Sequence, residues 1–320
     1  MEAAIPDPAQ TETETETETE TDYLAFGLRF RSDLALPELT AAAPDGTEPD
    51  VRIGLGSVGA RLPDAVDLPP RMQAGRDVFQ LDADAGRFRV TGGRRITVDP
   101  APLASARDVR LFLLGSAMGA LCHQRARLAL HAAVLEIDGL AIAVAGPSGA
   151  GKSTLAALHR MAGGGVLTDD LCAVTLNGNE SPTAHRGLRR IKLWPDSADL
   201  VGWRPDDSAR IADQIDKFSL PILRGAPSLP LARLYILRPG DSTVPDVRRL
   251  SGPEAAMAVV AQVYRWPVAV AMGKAADLFD QCVGLARRCE IFELRFAHDI
   301  LTPRRLLTAV IQQAGGGVST

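Results

Sequence analysis

The clearest chemical pattern in the sequence is a glycine-rich stretch that ends in a lysine and two hydroxyl residues. It consists of Gly146, Pro147, Ser148, Gly149, Ala150, Gly151, Lys152, Ser153 and Thr154, and it fits G-x-x-x-x-G-K-[ST], the Walker A phosphate-binding loop. Glycines let backbone N–H groups approach a triphosphate, and the dipole of the helix that follows favours negative charge. In this motif Lys152 reaches the terminal phosphates, and the Ser153 hydroxyl binds Mg²⁺. We therefore expect ATP and Mg²⁺ to bind here.

A pair of carboxylates, Asp169 and Asp170, follows the loop after one predicted helix and one short predicted strand. Ligands gather at the carboxyl ends of strands in open α/β sheets. Neighbouring residues of a strand point to opposite faces, so the two carboxylates can have different roles. One can hold Mg²⁺ while the other accepts the proton of an attacking hydroxyl, which phosphoryl transfer requires. An Asp-Asp pair alone is more often a turn or helix cap, but its position after the loop favours the functional interpretation.

The elements around these residues are predicted from the apolar pattern. A buried strand over 140–145 leads into the loop, and a helix begins behind it near 155. Residues 128–137 are typical of one strand, and Asp138-Gly139 predicts a hairpin turn. A hairpin therefore leads into the loop, unlike the all-parallel start of a Ras-like or Rossmann domain. Residues 106–125 predict a buried helix with Ser105 as its N-cap.

The remaining elements are predicted in the same way. Strands are expected at 166–168, 171–176, 231–237 and 291–296, helices at 253–264, 275–288 and 303–313, a polar loop at 206–216, and a helix-breaking role for Pro267.

Four segments are expected along the chain. They are a disordered acidic Thr-Glu tail (1–22), a β-rich N-terminal domain (23–103), a catalytic P-loop domain (104–314) and a frayed C-terminal tail (315–320). In the N-terminal domain, Leu24, Phe26, Leu28 and Phe30 alternate as in one half-buried strand, and residues 88–98 predict a hairpin. This domain contains no recognisable catalytic constellation.

Composition excludes several classes of function. The net charge is −4 and aromatic residues are 5% of the chain, which argues against a nucleic-acid partner. The longest charge-free apolar run, 111–123, is too short to span a bilayer, and the first residues do not resemble a signal peptide. The four cysteines form no C-x-x-C pair, so neither a zinc site nor a disulfide framework is expected. We therefore expect a cytoplasmic protein without a membrane partner.

The order of histidine strand, hairpin, Walker A loop, helix and Asp-Asp resembles the HPr kinase/phosphorylase family. The resemblance covers about residues 131–176 and includes Leu130-His131-Ala132 and Leu167-Thr168-Asp169-Asp170. It implies an α/β fold with a P-loop kinase core of the phosphoenolpyruvate-carboxykinase-like type and a mixed sheet. It also implies that Asp169 is the acid/base for the substrate hydroxyl, that Asp170 lies near the metal, and that His131 belongs to the site. By itself, a lone histidine on an apolar strand is more often a core residue.

The family's HPr-binding signature has no counterpart in residues 187–195, and its metal-binding glutamate is not identifiable. The whole chain looks more like the shorter HPr-kinase-like proteins that accompany lasso-peptide clusters. That likeness is carried by residues 27–39, 191–195 and 217–221. It implies phosphorylation of a serine on a precursor peptide. A homo-oligomer is also left open, because HPr kinases are typically hexamers.

The sequence therefore predicts an ATP- and Mg²⁺-dependent kinase that phosphorylates a serine or threonine hydroxyl of a peptide or protein. Lys192 and Lys217 are candidate phosphate or substrate contacts, and each could equally be a surface lysine. A small-molecule kinase of the same fold, a non-catalytic nucleotide-switched binding protein and an ATP hydrolase stay open as alternatives.

Overall fold

The computed structural model describes residues 20–43, 45–297 and 302–315. Most of the predicted Thr-Glu tail, residues 1–19, lies outside this part of the chain, as do residues 316–320 of the predicted C-terminal tail. Thr21 and Asp22 were predicted to belong to the tail. They instead begin the first strand, where they pair with Ser32 and Arg31.

The strands, numbered in chain order, are Thr21–Ala25 (β1), Leu28–Ser32 (β2), Thr40–Ala41 (β3), Val51–Leu55 (β4), Val66–Leu68 (β5), Met72–Gly75 (β6), Val78–Ala83 (β7), Gly86–Thr91 (β8), Arg95–Pro100 (β9), Leu128–Leu130 (β10), Ala132–Ile137 (β11), Leu140–Ala145 (β12), Gly165–Thr168 (β13), Cys172–Thr175 (β14), Thr183–His185 (β15), Arg190–Leu193 (β16), Arg210–Ala212 (β17), Ile215–Pro221 (β18), Ser228–Pro239 (β19), Asp246–Leu250 (β20) and Glu290–Phe296 (β21).

The α-helices are Ala106–Phe112 (α1), Met118–Gln124 (α2), Lys152–Met161 (α3), Pro195–Leu200 (α4), Gly252–Val260 (α5), Trp266–Ala271 (α6), Ala275–Arg288 (α7) and Thr302–Gly315 (α8). A π-helical segment, Leu113–Ala117, joins α1 to α2, and a 3₁₀ turn covers Asp207–Ala209. The predicted helix 106–125 is therefore continuous, and Ser105 caps it by accepting a hydrogen bond from the backbone N–H of Asp108. Among the described residues, no helix combines the length and apolar character needed to cross a membrane.

The fold is α/β with mixed sheets. Within the described residues, the strands of the N-terminal region form one sheet in the order β3-β1-β2-β4-β9-β8-β7-β6-β5. A second sheet runs β10-β14-β15-β19-β12-β11-β13 and continues from β19 through β21 to β20. A small third sheet has the order β16-β18-β17. The predicted hairpins β8-β9 and β11-β12 are both present.

The second sheet brings three chain segments to one edge. Strand β11 is antiparallel to both β12 and β13, so β12 and β13 run in the same direction and end on the same side. The first residue of β11, Ala132, pairs with Ala145, the last residue of β12. His131, Gly146 and Asp169 therefore all lie at this edge, because each directly adjoins the end of one of these strands.

Several predicted elements are divided or extended in the structure. Residues 24–30 form two strands rather than one, because Phe26 and Gly27 take positive φ angles of 56° and 70° and reverse the chain. The predicted strand 128–137 is interrupted at His131. Pro267 lies in the first turn of α6 and begins a helix there, as proline at a helix start can. The predicted loop 206–216 contains the 3₁₀ turn, β17 and the start of β18.

The N-terminal sheet and the second sheet share buried contacts. One hydrophobic cluster joins residues of the N-terminal region, such as Phe26 in the β1-β2 turn, to the helix 106–124 and to Leu171 and Leu188 near the predicted site. Phe26 is completely buried, and its backbone N–H donates to the carbonyl of Arg186 at 2.6 Å. The N-terminal region therefore packs directly against the segments that carry the predicted site residues.

Candidate active site

The phosphate loop is flanked by a strand and a helix, as the sequence predicts. Strand β12 ends at Ala145 and α3 begins at Lys152. Gly146, Gly149 and Gly151 have φ angles of 143°, 83° and 93°, in the region that favours glycine. A Cβ on Gly146 would also lie 2.8 Å from the carbonyl oxygen of Leu237, so both conformation and space require glycine there.

Lys152 lies within its own loop and is only 7% exposed. Its Nζ donates hydrogen bonds to the carbonyl oxygens of Gly146 (2.9 Å) and Pro147 (3.0 Å). Burial lowers the pKa of the Lys152 ammonium, and the carboxylates of Asp169 and Asp170 oppose this shift. The cation is thus held at the mouth of the loop, where the terminal phosphates of a nucleotide would replace the carbonyl contacts.

Asp169 follows β13 directly and is almost completely buried, with 2% exposure. Its Oδ1 accepts a hydrogen bond from the Ser153 hydroxyl at 2.9 Å, and its Oδ2 accepts one from the backbone N–H of Lys192, also at 2.9 Å. Burial and the adjacent Asp170 carboxylate raise the pKa of Asp169, and the hydrogen bonds oppose that rise. Both oxygens of Asp169 therefore face the phosphate loop and β16.

Asp170 has a different environment. Its backbone is left-handed (φ 75°), and its carboxylate has partners different from those of Asp169. Lys192 Nζ lies 2.7 Å from Oδ2, and His131 Nδ1 lies 3.2 Å from Oδ1. Burial disfavours ionisation of Asp170, but the Lys192 charge and the His131 contact outweigh it, so the pKa of Asp170 is lowered. Asp170 is therefore an ionised carboxylate between a cation and an imidazole.

His131 occupies the break between β10 and β11. Its backbone N–H donates to the carbonyl of Gln262 at 2.8 Å, which ties this position of the chain to the segment after α5. The ring Nδ1 also lies 3.0 Å from the backbone carbonyl oxygen of Asp170, and the ring centroid lies 6.0 Å from that of Tyr264. The side chain is 35% exposed. His131 therefore faces the cavity rather than the core.

Two cavities meet at Asp170. The first, of about 360 Å³, is lined by the phosphate loop, both aspartates, Lys192, Trp194 and Lys217. We call it the phosphate-loop cavity. The second, of about 530 Å³, lies on the other side and is lined by Arg238, residues 261–265 and the start of the loop. We call it the outer cavity. His131, Ser148 and Asp170 line both cavities, whereas Asp169 lines only the first.

Both lysines named as candidate contacts line the phosphate-loop cavity. Lys192 is bound to Asp170, as described above. Lys217 Nζ lies 4.5 Å from the ring centroid of Trp194, whose side chain is 51% exposed beside the cavity. An exposed indole can stack against an aromatic ring, and the neighbouring cation can contact the same ring by a cation–π interaction.

The sequence analysis did not identify Trp194, Arg238, Tyr264 and Arg265 as site residues. A signal for Trp194 existed, because a large aromatic residue follows a strand that contains Lys192. For Arg238 and residues 264–265 no local signal exists, since strand pairing alone brings them to this edge. Strand β19 runs parallel to β12, so its end lies beside the phosphate loop, and Val263 bridges to Leu130.

The N-terminal region supports the carboxylate pair from behind. A Cβ on Gly187 would lie 2.8 Å from the Phe26 ring and would also collide with the Thr168 hydroxyl. Glu38 accepts hydrogen bonds from Arg110 (3.0 Å) and from the buried Arg190 (3.1 Å), two residues before Lys192. Substitutions in this region are therefore expected to move the end of β13 and the start of β16.

The residues present fit a magnesium–nucleotide complex. Within the described part of the chain, no group of three or more His, Cys, Asp or Glu side chains could hold a metal ion. Mg²⁺ does not need one, because in nucleotide sites it is held by one or two protein oxygens together with phosphates and waters. The Ser153 hydroxyl and the Asp169 carboxylate, 2.9 Å apart beside the loop, supply such a pair.

No protein-family model matches the sequence, and no curated protein does so either. Among solved structures, the chain is similar to the Hpr(Ser) kinase/phosphatase from Coxiella burnetii, with 14% sequence identity and a TM-score of 0.28. The match covers 58% of this chain and 99% of that chain. A TM-score this low does not establish a common fold.

Proposed function

We propose that the protein is an ATP- and Mg²⁺-dependent kinase that transfers the γ-phosphate to a serine or threonine hydroxyl of a peptide or protein. The observation that carries the proposal is the different setting of the two carboxylates. Asp169 is bound to the hydroxyl of the phosphate loop, and Asp170 lies between His131 and Lys192 where two cavities meet. A hydrolase needs no second cavity of this size beside the loop.

The phosphate-loop cavity is the nucleotide site in this proposal. The loop amides and Lys152 bind the phosphates, while Trp194 and Lys217 contact the nucleobase end. Ser153 and Asp169 would hold Mg²⁺, which neutralises phosphate charge when bound. The γ-phosphate then lies toward Ser148 and Asp170, and an acceptor hydroxyl reaches it from the outer cavity.

The roles of the aspartates are exchanged relative to the sequence prediction. The pKa of Asp169 is raised, which suits a proton acceptor, whereas the pKa of Asp170 is lowered, and both oxygens of each carboxylate have partners. What separates the two is access, because Asp169 does not line the outer cavity. Geometry takes precedence over pKa in assigning a base, since a group must first reach the proton. Asp170 does line that cavity, and a loose transition state for phosphoryl transfer depends more on positioning than on a strong base.

Transfer exchanges one phosphorus–oxygen bond for another. The bond between the γ-phosphorus and the oxygen of ADP breaks, and a bond forms between that phosphorus and the acceptor oxygen. The hydroxyl proton passes to Asp170 and then to solvent. Lys192 holds the Asp170 carboxylate ionised and oriented, and His131 holds its other oxygen. The acceptor suggested by the sequence resemblance is a serine of a lasso-peptide precursor.

The test is to incubate the protein with ATP labelled on the γ-phosphate and a panel of serine and threonine peptides, and to follow where the label goes. Label in a peptide supports the proposal. Label only in a small hydroxyl compound would favour a small-molecule kinase, and label only in inorganic phosphate would favour a hydrolase. Binding of ATP without release or transfer would favour a nucleotide-switched binding protein. Lys152→Ala controls for contaminating kinases.

A further inference from the structure

The outer cavity carries more positive charge than its neighbours neutralise. Of the described residues that line it, Asp170 is the only carboxylate, and it is already bound by Lys192 and His131. Two arginines, Arg238 and Arg265, line the same cavity. The volume of about 530 Å³ is within the range of roughly 300–1,000 Å³ that holds a small ligand or a short peptide segment.

The partners of Arg265 in the described part of the chain are neutral groups, among them the Tyr264 side chain. Its Nε is buried without a hydrogen-bond partner, and its Nη1 contacts the sulfur of Met72 at 3.6 Å, which is a weak acceptor. Its guanidinium carbon lies 5.7 Å from the Tyr264 ring centroid. No carboxylate in the described part of the chain lies within ion-pair distance of it. Because its charge is not neutralised by a carboxylate, the Arg265 guanidinium can still bind an anion.

The backbone at Arg265 is held in a costly conformation. Its φ and ψ angles are 50° and 49°, in the left-handed region that a long side chain rarely adopts. Hydrogen bonds on both sides impose this geometry, from Tyr264 N–H to Ala129 O (2.8 Å) and from Val268 N–H to Arg265 O (2.9 Å). Such strain concentrates at ligand-binding positions. Arg265 lines the cavity in this conformation, although glycine or asparagine would suit the backbone angles better.

Arg238 is also only partly neutralised. It follows Leu237 in β19 and lies at the same edge as the phosphate loop. Its nearest carboxylate is Glu293, at 3.8 Å, beyond hydrogen-bonding distance. Glu293 is held more closely by Arg295 (2.7 Å) and also contacts Arg248 (3.3 Å), whose main partner is Glu254 (2.7 Å). Three guanidinium groups therefore share two carboxylates.

We propose that the outer cavity selects acceptors that carry a carboxylate or phosphate close to the reacting hydroxyl, and that Arg265 and Arg238 bind this anionic group. The inference rests on the proposed kinase function and defines its substrate class. The Nε of Arg265 is buried, so the two Nη groups are the donors that can meet the two oxygens of a carboxylate or phosphate. The anion would anchor the acceptor so that its hydroxyl meets Asp170.

The test compares matched serine peptides in the labelled-ATP assay. The residue on either side of the serine is glutamate, glutamine, lysine or phosphoserine, and in a separate arm the serine is C-terminal with a free or an amidated carboxyl group. We expect kcat/KM for the best anionic peptide to exceed that of its neutral partner on the order of 10- to 100-fold, as for a charge-assisted hydrogen bond. The arms identify whether the anion is a side chain, a phosphate or the chain end.

Three variants connect the preference to the cavity. Arg265→Asn suits the left-handed backbone but removes the charge, so the ratio of anionic to neutral kcat/KM should fall to within about threefold of unity while the melting temperature is kept. Arg265→Lys keeps the charge and should retain part of the ratio. Arg95→Gln removes an exposed arginine of the N-terminal sheet and should leave the ratio at its wild-type value.

The outcomes separate the two claims. Transfer to peptides with an anionic-to-neutral ratio near unity, or a ratio that Arg265→Asn changes no more than Arg95→Gln does, would overturn the inference and leave the kinase proposal standing. Absence of transfer to every acceptor would overturn the kinase proposal and the inference with it.

Discussion

Replacing the two aspartates one at a time separates the role of each. In Asp170→Asn the negative charge between Lys192 and His131 is lost, while an amide oxygen can still accept from Lys192. In Asp169→Asn the amide oxygen can accept from the backbone N–H of Lys192, and the amide N–H can donate to the Ser153 hydroxyl. Both hydrogen bonds of Asp169 can therefore be satisfied, and we expect both variants to fold.

The magnitudes follow from what each carboxylate contacts. Without the proton acceptor that lines the outer cavity, we expect kcat of Asp170→Asn to fall on the order of 10²–10⁴-fold. The Mg²⁺ concentration for half-maximal rate should change little, because Asp170 does not contact Ser153. In Asp169→Asn the metal loses a charged oxygen, so that concentration should rise about 10-fold or more and high Mg²⁺ should restore part of the rate.

The assay is the initial rate of label transfer at a series of Mg²⁺ concentrations for wild type, both variants and Asp84→Asn. Asp84 is a suitable control because its side chain is 96% exposed in the N-terminal region. If Asp169→Asn were inactive at every Mg²⁺ concentration while Asp170→Asn worked at near wild-type rate, the assignment drawn from geometry would be wrong. The original assignment of Asp169 as the base would then be correct.

Four further predictions follow from the site. Lys152→Ala should lower transfer on the order of 10²–10³-fold, because a preorganised charge contact is lost; rates and melting temperature of one preparation check this. Trp194→Ala should weaken ATP binding on the order of 10-fold and Trp194→Phe much less, measured by calorimetry, and equal affinities would exclude stacking. The pKa of Asp169 is higher in the folded protein than in the unfolded chain, where it is about 3.9. The contribution of the protonated Asp169 to the free energy of unfolding is therefore complete below the unfolded pKa and is lost as the pH rises through the folded pKa. Wild type should therefore lose stability over that pH interval, whereas Asp169→Asn has no group to titrate there. Without Mg²⁺, the melting temperature of Asp169→Asn minus that of wild type should increase as the pH rises, and a constant difference would contradict the raised pKa of Asp169. Gly187→Ala should lower the free energy of unfolding by about 1–3 kcal/mol and reduce transfer, because the added Cβ would collide with Phe26 and Thr168. Gly59→Ala is the control, since its Cβ would make only an ordinary 3.7 Å contact, and it should change neither quantity. Denaturant titration measures the stability and the labelled-ATP assay measures the transfer.

Local patterns predicted most of the elements that form the site. The Walker A spacing, the Asp138-Gly139 turn and the apolar run before Gly146 each depend on neighbours in sequence, so β11, β12 and α3 were predictable. The predicted strands 24–30 and 128–137 were wrong because each is divided where the chain changes direction. Phe26 adopts a positive φ that its residue type disfavours, and the break at His131 depends on its hydrogen bond to Gln262, which is distant in sequence.

The contacts of the two aspartates could not be predicted in the same way. Alternation along a strand shows that Asp169 and Asp170 face apart, but not which of them faces Ser153. That depends on the left-handed backbone of Asp170 and on the distance from Asp169 to a strand of another sheet. The outer cavity could not be predicted from the sequence either. Arg238 and Arg265 line the same cavity only because β19 pairs in parallel with β12 and Val263 bridges to Leu130.

The most direct measurement follows the γ-phosphate of labelled ATP through a single turnover, with enzyme in excess and with or without a serine peptide that carries an adjacent acidic residue. A kinase of the kind proposed keeps the label on ATP until the peptide is added and then moves it to the serine oxygen, and Asp170→Asn slows that step. Release of label into inorganic phosphate at the same rate with and without the peptide would contradict the proposal.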